Sequence, residues 1–199
     1  LVAEDRRFDP VAEYLRALRW DGVLRLHRVL RDYFGAAADD LEHEAYLGAG
    51  GTKTLIAAVA RPLAPGCKAD HVLVLVGPQG VGKSTAIRTL AGAEHFADSV
   101  PALGSKDAAD YLRGPWIVEL GELDALHRSE VSTHKAFLSR TEDRFRAAYG
   151  HHTETHPRRC IFVGSTNEDA FLQDATGNRR FWPVTVGRID AAGLTRDRD

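Results

Sequence analysis

The stretch VLVLVGPQGVGKST, Val72 to Thr85, decides the fold of this 199-residue chain. Its first five residues are apolar and β-rich, which predicts a buried strand, and the glycines that follow let the backbone curl into a loop. Residues 77–85 fit the pattern G-x-x-x-x-G-K-[ST] without a mismatch. AIRTLAGA then has helical spacing, with Ile87 and Leu90 on one face. This order of strand, loop and helix predicts a site for a nucleoside triphosphate.

The chemistry expected of this loop is anion binding. Backbone N–H groups at a helix N-terminus point into such a loop, and the helix dipole adds positive potential. We expect Lys83 to reach the β- and γ-phosphates of ATP and the Ser84 hydroxyl to ligate Mg²⁺. The residues expected to contact the nucleotide are Gly77, Pro78, Gln79, Gly80, Val81, Gly82, Lys83, Ser84 and Thr85. The alternative is a chance glycine turn, which the complete order of motif elements disfavours.

The composition, with 44% hydrophobic and 27% charged residues, is that of an ordinary soluble globular protein. A net charge of −2 gives no overall attraction to nucleic acid, so such binding would require a local basic surface. Cys67 and Cys160 form neither a disulfide framework nor a zinc pattern, which favours the reducing cytoplasm. No membrane span or signal peptide is predicted. Because the sequence contains no methionine, we expect an excerpt of a longer protein, truncated at its C-terminus.

Two regions are predicted along the chain. Residues 1–62 carry three helical patterns and form a small helical N-terminal region, and residues 63–199 form the core that holds the loop. The first helix has Asp9 as its N-cap. Glycines weaken the third helix, which we expect to end before Pro62. The following arginines are expected on a solvated helix face: Arg16, Arg19, Arg25, Arg28 and Arg31.

Strands alternate with helices after the loop. HFADSV (95–100) and GPWIVEL (114–120) predict two strands, with a Ser105-capped helix between them. CIFVGSTNE (160–168) and the apolar run 181–186 predict two more. The alternation predicts a mostly parallel sheet with helices on both faces.

WIVELGELD, residues 116–124, offers carboxylates for a second part of the site. Phosphoryl transfer needs a carboxylate near Mg²⁺ and a group that orients the attacking water. Glu119 falls within the predicted strand, whereas Glu122 lies where that strand should end. We therefore favour Glu122 as the metal-binding or water-orienting carboxylate, with Asp124 supporting it. The choice among the three stays open, and the alternative is that Glu122 and Asp124 only cap the next helix.

Two further polar features adjoin predicted strands. An amide at the end of a strand, here Asn167, can bond both the attacking water and the γ-phosphate; Thr166 is the second choice, and a helix N-cap is the alternative. Arg179 and Arg180 lie on a glycine turn before the last strand. An exposed guanidinium there can neutralise charge on the γ-phosphate, in its own subunit or in a neighbour. A solvated turn is the alternative for this pair.

RFRAAYGHHTETHPRR, residues 144–159, predicts a basic hairpin. It has four arginines and three histidines against one glutamate, with two aromatic residues interleaved. Cations on phosphates and rings on bases suit single-stranded nucleic acid, although a solvated hairpin is favoured from this stretch alone. The candidate contacts are Arg144, Arg146, Tyr149, His151 and His152. A metal site of His152, His156 and Cys160 is disfavoured, because Pro157 breaks the helix that would align them.

In this order, the motifs resemble those of the virulence-associated protein E family, phage- and genomic-island-associated P-loop ATPases related to superfamily 3 helicases of the AAA+ class. The motifs that carry the resemblance are GPQGVGKST, LGSKDA, WIVELGELDA, KAFLSRTEDRFRAAYG, CIFVGSTNED and TGNRRFWPV. YLRALRWDG and AAVARPLAPGCKADHVLVL are also similar, so the resemblance covers nearly the whole chain. It implies a three-layer α/β/α P-loop NTPase fold of the AAA+-like type.

The resemblance also implies residue roles. Lys83 and Ser84 take the Walker A roles, and Glu122 with Asp124 the acidic Walker B end, although E-L-G-E-L-D lacks the two adjacent carboxylates of the usual pattern. Asn167 becomes the polar sensor. The arginine finger is one member of the pair Arg179 and Arg180, and it reaches the ATP of a neighbouring subunit. Residues 135–149 are similar to a stretch that leads into a DNA-contacting hairpin, which makes DNA the favoured partner of the basic hairpin.

The function implied by the resemblance is an ATP-hydrolysing, DNA-acting module of a mobile-element replication protein. It would use ATP and Mg²⁺ and form a homo-oligomeric ring around DNA in the cytoplasm, with single-stranded DNA as the favoured form. One alternative is a P-loop kinase of a small molecule, in which the arginine pair belongs to a lid. Another alternative is an ATP-gated DNA-binding or assembly switch that does not unwind DNA.

Overall fold

Three helices open the part of the chain that this computed structural model describes. The described residues are 8–121, 135–146, 152–167 and 178–199. Helix α1 (Pro10–Ala17) begins where the Asp9 carboxylate accepts two backbone N–H groups, which confirms the predicted N-cap. Helix α2 (Val29–Phe34) follows a short 3-10 helix (Leu26–Arg28). It ends at Gly35, which has a left-handed backbone.

Helix α3 (Leu41–Leu63) differs from the prediction of an interrupted helix that stops before Pro62. It is one continuous helix of 23 residues. Gly51 is required for close packing, since a Cβ there would lie 2.6 Å from Cγ1 of Val29 in α2. A Cβ on Gly48 would lie 3.3 Å from the carbonyl oxygen of His27. The glycines that lower helix propensity therefore allow α3 to approach its neighbours.

Pro62 lies inside helix α3 because its missing N–H is compensated. A proline cannot donate to the carbonyl four residues earlier, which here is that of Ala58. That carbonyl accepts the indole Nε1–H of Trp116 at 2.7 Å instead. A buried backbone acceptor is thus satisfied from the strand layer rather than from within the helix.

Five parallel strands form the central sheet, in the order β2-β3-β6-β1-β7. Their bounds are β1 (Val72–Val76), β2 (Phe96–Ala97), β3 (Ile117–Leu120), β6 (Ile161–Thr166) and β7 (Phe181–Thr185). Strands β4 (Glu142–Phe145) and β5 (Glu154–Pro157) form a separate antiparallel hairpin. The parallel sheet and the hairpin are confirmed, while β2 is shorter than the predicted run.

Helices cover both faces of the sheet. Helices α2, α3, α4 (Lys83–Ala91) and α6 (Ala191–Asp197) contribute to one apolar cluster, and α5 (Lys106–Tyr111) with helical residues 135–138 contributes to the other. Strand β1 shows the alternation that separates them, since Leu73 and Leu75 lie in the first cluster and Val74 in the second. The three-layer α/β architecture is therefore confirmed.

The N-terminal helices share the first apolar cluster with the sheet, where Leu30 and Leu47 join Leu73 and Ile161. Helix α3 ends at Leu63, one residue beyond the predicted boundary of the helical region. The division at residues 62 and 63 stays a prediction. Among the helices of the described ranges, none is both long and apolar enough to cross a bilayer.

Candidate active site

The predicted phosphate-binding loop follows the carboxyl end of β1. Ligands in open parallel sheets bind at this edge, where the connections of neighbouring strands diverge. Both neighbours of β1 hold the loop in place. The Gly77 N–H donates to the carbonyl oxygen of Thr166 in β6 at 3.2 Å, and the Val186 N–H beyond β7 donates to that of Val76 at 2.8 Å. The base of the loop is thus fixed from two sides.

Two glycines give the loop its shape. Gly80 and Gly82 have φ values of 85° and 97°, which side chains disfavour. Gly82 is the N-cap of α4 and provides no side-chain hydrogen bond. The backbone N–H groups of the first turn of α4 are therefore not used by a cap, and they suit an anion.

Lys83, the first residue of α4, is held at the base of the loop. Its Nζ donates to the carbonyl oxygens of Gly77 at 2.5 Å and Pro78 at 3.0 Å, and to Oδ1 of Asn167 at 3.0 Å. The residue is only 8% exposed, and this burial lowers the pKa of the ammonium, while the Glu119 carboxylate acts in the opposite direction. Lys83 and Asn167 were both predicted as site residues and are far apart in the sequence, and the structure brings them into direct contact.

Glu119 contacts the residue after this lysine. Ser84 Oγ donates to Oε1 of Glu119 at 2.7 Å, which joins α4 to β3. Glu119 lies within β3, as predicted. Side chains two residues apart on a strand share one face, and Ile117 packs in the same apolar cluster as Ile87 of α4. Glu119 therefore points to the α4 face from inside the strand.

The sequence favours Glu122 as the metal-binding or water-orienting carboxylate, with Asp124 in support. Both lie outside the described residues, so their roles stay predictions. Among the described acidic residues, Glu119 is the one that hydrogen-bonds to Ser84.

Ser165 is a residue of the site that the sequence analysis did not single out. Its Oγ donates to the same Oε1 of Glu119 at 2.6 Å. Ser165 lies two residues after Val163 on β6 and opposite Leu75 of β1, so it faces α4. The signal in the sequence was a hydroxyl on the face of β6 that otherwise carries Ile161 and Val163.

The arrangement around Glu119 fits a hard cation. Oε2 of Glu119 is buried, and no described group hydrogen-bonds to it. A buried carboxylate oxygen without a partner is costly, and oxygen ligands are those that Mg²⁺ prefers. The Ser84 hydroxyl beside it adds a further oxygen. The donor set of Ser84 and Glu119 therefore suits Mg²⁺.

The arginine pair lies at the edge of the sheet opposite the loop. Arg179 and Arg180 form a 3-10 helix (Asn178–Arg180) directly before β7. Because β7 runs parallel to β1, its first residue pairs with Val72 and its last with Val76, after which the loop begins. The start of β7 and the loop after β1 are thus four residues apart along the strands, which at roughly 3.3 Å per residue is about 13 Å. The pair is thus remote from the loop of its own chain.

The two arginines differ in their surroundings. Nε of Arg180 donates to Oγ of Ser139 at 2.7 Å, so this guanidinium has a partner within the chain. The Arg179 side chain is exposed, and its carbonyl oxygen accepts the indole Nε1–H of Trp182 at 3.0 Å. Arg179 is therefore the better placed of the two for a contact with another molecule.

The basic hairpin presents two of its four arginines to solvent. Arg144 and Arg146 are exposed, whereas the alternating residues Asp143 and Phe145 are buried. His152 is also exposed. The other two candidate contacts, Tyr149 and His151, lie outside the described residues.

A buried ion pair holds the base of this hairpin. Nε and Nη2 of Arg158 donate to the two carboxylate oxygens of Asp143 at 2.7 and 2.9 Å, and Nη1 donates to the carbonyl oxygen of Phe137 at 2.6 Å. The guanidinium also lies over the Phe137 ring, 4.2 Å from its centroid. Such a bidentate pair fixes the direction as well as the position of β4 relative to the chain that enters β6.

His156, a histidine of the hairpin, has a role in packing. The His156 ring lies on that of Phe145, with centroids 4.8 Å apart. Burial raises the pKa of the Cys160 thiol to about 11, so the thiolate that binds metals is disfavoured at neutral pH. Within the described ranges, no three His, Cys, Asp or Glu side chains form a candidate metal cluster.

One cleft of the described residues lies away from the loop. It encloses about 610 Å³ between α1, α3 and the last residues of the chain, and its lining includes Tyr14, Leu24, Val59 and Trp116. This lining is mainly apolar and contains no residue of the loop 77–85. We place the site at the loop, because the convergent polar side chains are there.

Comparisons with known proteins identify the family. The profile of the virulence-associated protein E-like domain matches residues 15–199. A comparison with curated proteins gave no match. The apo structure of the NrS-1 C-terminal region is similar, with a TM-score of 0.61, 14% identity, and coverage of 96% of this chain and 47% of that one. Its A form gives a TM-score of 0.58 at 14% identity, with coverage of 96% and 46%.

The two kinds of likeness carry different weight. At 14% identity, the solved structures show a shared fold alone, and this chain spans about half of their length. The profile match, in contrast, extends over most of the sequence. The chain therefore belongs to the virulence-associated protein E-like domain family.

Proposed function

We propose that this chain is an ATP-hydrolysing, DNA-acting module of the AAA+/superfamily 3 helicase type, part of a mobile-element replication protein. The observation that carries the proposal is the pair of contacts at the start of α4. Lys83 bonds to Asn167 of one neighbouring segment, and Ser84 bonds to Glu119 of another. An ammonium, a hydroxyl, a carboxylate and an amide thus converge beside a loop shaped for phosphate.

Nucleotide binding is assigned to residues 77–85. The N–H groups of the loop and the Lys83 ammonium bind the phosphates of ATP, and Ser84 with Glu119 would hold Mg²⁺. A cation held there would offset negative charge on the phosphates. The Lys83 ammonium donates to three protein oxygens. Phosphate oxygens of ATP would replace some of these acceptors, so the ammonium stays hydrogen-bonded when the nucleotide binds.

Hydrolysis is proposed as in-line attack of water on the γ-phosphate. Asn167 is proposed to orient that water, and its contact with Lys83, the proposed phosphate-binding residue, supports this role. Glu122, with Asp124 in support, is proposed to help orient the water. Charge that develops on the γ-phosphate is offset by Lys83 and by an arginine of a neighbouring subunit.

The position of the arginines supports action between subunits. Arg179 is exposed at the sheet edge opposite the loop, so it suits the site of a neighbouring copy rather than its own. The same geometry disfavours the kinase alternative, which requires arginines that close over the loop. A homo-oligomeric ring is therefore proposed, in a cytoplasmic setting.

Single-stranded DNA is the proposed partner of the basic hairpin. Arg144 is exposed on one strand of the hairpin, Arg146 is exposed directly after that strand, and His152 is exposed before the other strand. Cations at this spacing suit backbone phosphates. A switch that binds DNA and assembles with ATP, without unwinding, is the second candidate, because exposed arginines serve either function.

The proposal is tested by phosphate release from ATP, measured on the full-length protein with and without single-stranded DNA. Lys83→Ala should lower turnover at least about 100-fold, the scale of losing one charge-stabilising donor. Lys106→Ala, which removes an exposed lysine on α5, is the matched control and should leave turnover unchanged. Circular dichroism establishes that both variants are folded.

Other outcomes decide between the alternatives. Undiminished turnover in folded Lys83→Ala protein would overturn the site. Transfer of the γ-phosphate to a small acceptor would favour a kinase. ATP-driven assembly without strand displacement on forked DNA would favour the switch.

A further inference from the structure

We propose that Ser165 is a positioning residue that fixes the Glu119 carboxylate for Mg²⁺, an inference that rests on the proposed function. Ser165 is 7% exposed and Glu119 is 4% exposed. The Ser165 hydroxyl donates to Oε1 of Glu119 at 2.6 Å. This contact lies behind the residues that would touch the nucleotide.

The two oxygens of Glu119 are differently occupied. Oε1 accepts from both Ser84 and Ser165, whereas the buried Oε2 has no described hydrogen-bond partner. A carboxylate that is held through one oxygen cannot rotate without losing both bonds. Ser165 thus reserves Oε2 for the cation.

Ser165 and Ser84 contribute differently to this arrangement. Ser84 is exposed on the first turn of α4, and its oxygen is itself a proposed ligand. Ser165 lies inside β6, between β1 and β3, and is not itself part of the loop. The Glu119 carboxylate therefore keeps one fixed donor when the loop exchanges ligands.

Strand β6 and the residue after it thus hydrogen-bond to two proposed site residues on two other elements. Ser165 holds Glu119 of β3, and Asn167, just after the strand, holds Lys83 of α4. Partners that orient metal-binding side chains commonly affect metal affinity or activity by 10–100-fold. Loss of the Ser165 hydroxyl should therefore lower the affinity for Mg²⁺ more than the affinity for the nucleotide.

The test is a Mg²⁺ titration of nucleotide binding, with a fluorescent non-hydrolysable ATP analogue and the full-length protein. Ser165→Ala should raise the Mg²⁺ concentration for half-maximal binding by about 10- to 100-fold. Ser165→Thr keeps the hydroxyl and should restore most of the wild-type value. Val163→Ala on the same strand is the control for packing: it should lower the melting temperature and leave the Mg²⁺ requirement unchanged.

The outcomes separate the two proposals. If wild-type protein binds the analogue with Mg²⁺ dependence and Ser165→Ala has the same requirement, the positioning role is wrong and the proposed function stands. The role is equally wrong if Val163→Ala and Ser165→Ala shift the requirement alike. If the wild-type protein binds no nucleotide, both proposals are overturned.

Discussion

Ser84 Oγ lies 2.7 Å from Oε1 of Glu119, although one residue begins helix α4 and the other is inside strand β3. This contact connects the phosphate-binding loop with the neighbouring acidic strand. Among the described carboxylates, Glu119 is therefore the best placed for a cation. It lies inside strand β3 and not at the end of that strand, where the sequence favours the acidic residue.

Glu119→Gln should therefore raise the Mg²⁺ requirement for ATP hydrolysis. The amide keeps the shape of the side chain and an oxygen for the two serines, but it removes the charge that a cation needs. We expect the half-saturating Mg²⁺ concentration to rise at least about 10-fold, measured by phosphate release. Glu94→Gln, at an exposed position, is the control. A Mg²⁺ requirement altered by Glu122→Gln and not by Glu119→Gln would transfer the role to Glu122.

The loop, the parallel sheet and the hairpin could be predicted from sequence because each has a local pattern. The strand VLVLV, the glycines of the loop and the N-cap Asp9 depend on residues that are close in the chain. Asn167 could also be found, since a polar residue follows a buried strand.

The contacts of Glu119 and Ser165 depend instead on strand order. Sequence does not reveal that β6 lies between β1 and β3, and this order brings the Ser165 hydroxyl to Glu119. The continuity of α3 is a similar case. Local propensity favours a break at Pro62, but the Trp116 indole from another layer satisfies the freed carbonyl of Ala58.

Arg179→Ala should remove most ATP turnover while nucleotide binding is retained. An arginine supplied by a neighbour contributes about 10³- to 10⁵-fold to the rate in related chemistry. Mixing this variant with Lys83→Ala should restore part of the activity, because some interfaces then combine an intact Lys83 with an intact Arg179. Arg180→Ala is the comparison, and we expect it to act through the lost bond to Ser139.

Turnover and thermal stability distinguish these two arginines. If mixing fails to restore activity although hetero-oligomers form, action between subunits is excluded. If Arg180→Ala loses turnover at unchanged stability and Arg179→Ala does not, Arg180 is the arginine that acts.

Replacing Arg144 and Arg146 together with alanine should weaken single-stranded DNA binding. The slope of log K against log salt is negative, and each lost phosphate contact reduces its magnitude by about 0.7, so two lost contacts reduce it by about 1.4. Fluorescence anisotropy at several salt concentrations measures the slope. Arg113→Ala, an exposed arginine outside the hairpin, should leave it unchanged. An unaltered slope in the double variant would place the DNA contact elsewhere.

Breaking the buried ion pair between Asp143 and Arg158 should destabilise the hairpin far more than breaking a surface pair does. Asp143→Leu leaves a buried guanidinium without its carboxylate, and breaking such a pair costs about 3–5 kcal/mol. Replacing both partners, with Arg158→Met as the second change, should cost less than the sum of the single changes. Urea denaturation of the two single variants and the double variant gives the coupling free energy.

The exposed pair of Glu13 and Arg16 on α1 is the matched control for this cycle. Their side chains are 56% and 59% exposed, so Glu13→Ala should change the free energy of unfolding little. If Asp143→Leu costs no more than Glu13→Ala, the buried pair does not hold the hairpin. If it costs several kcal/mol and also weakens DNA binding with Arg144 and Arg146 intact, the pair sets the direction in which the hairpin presents those arginines.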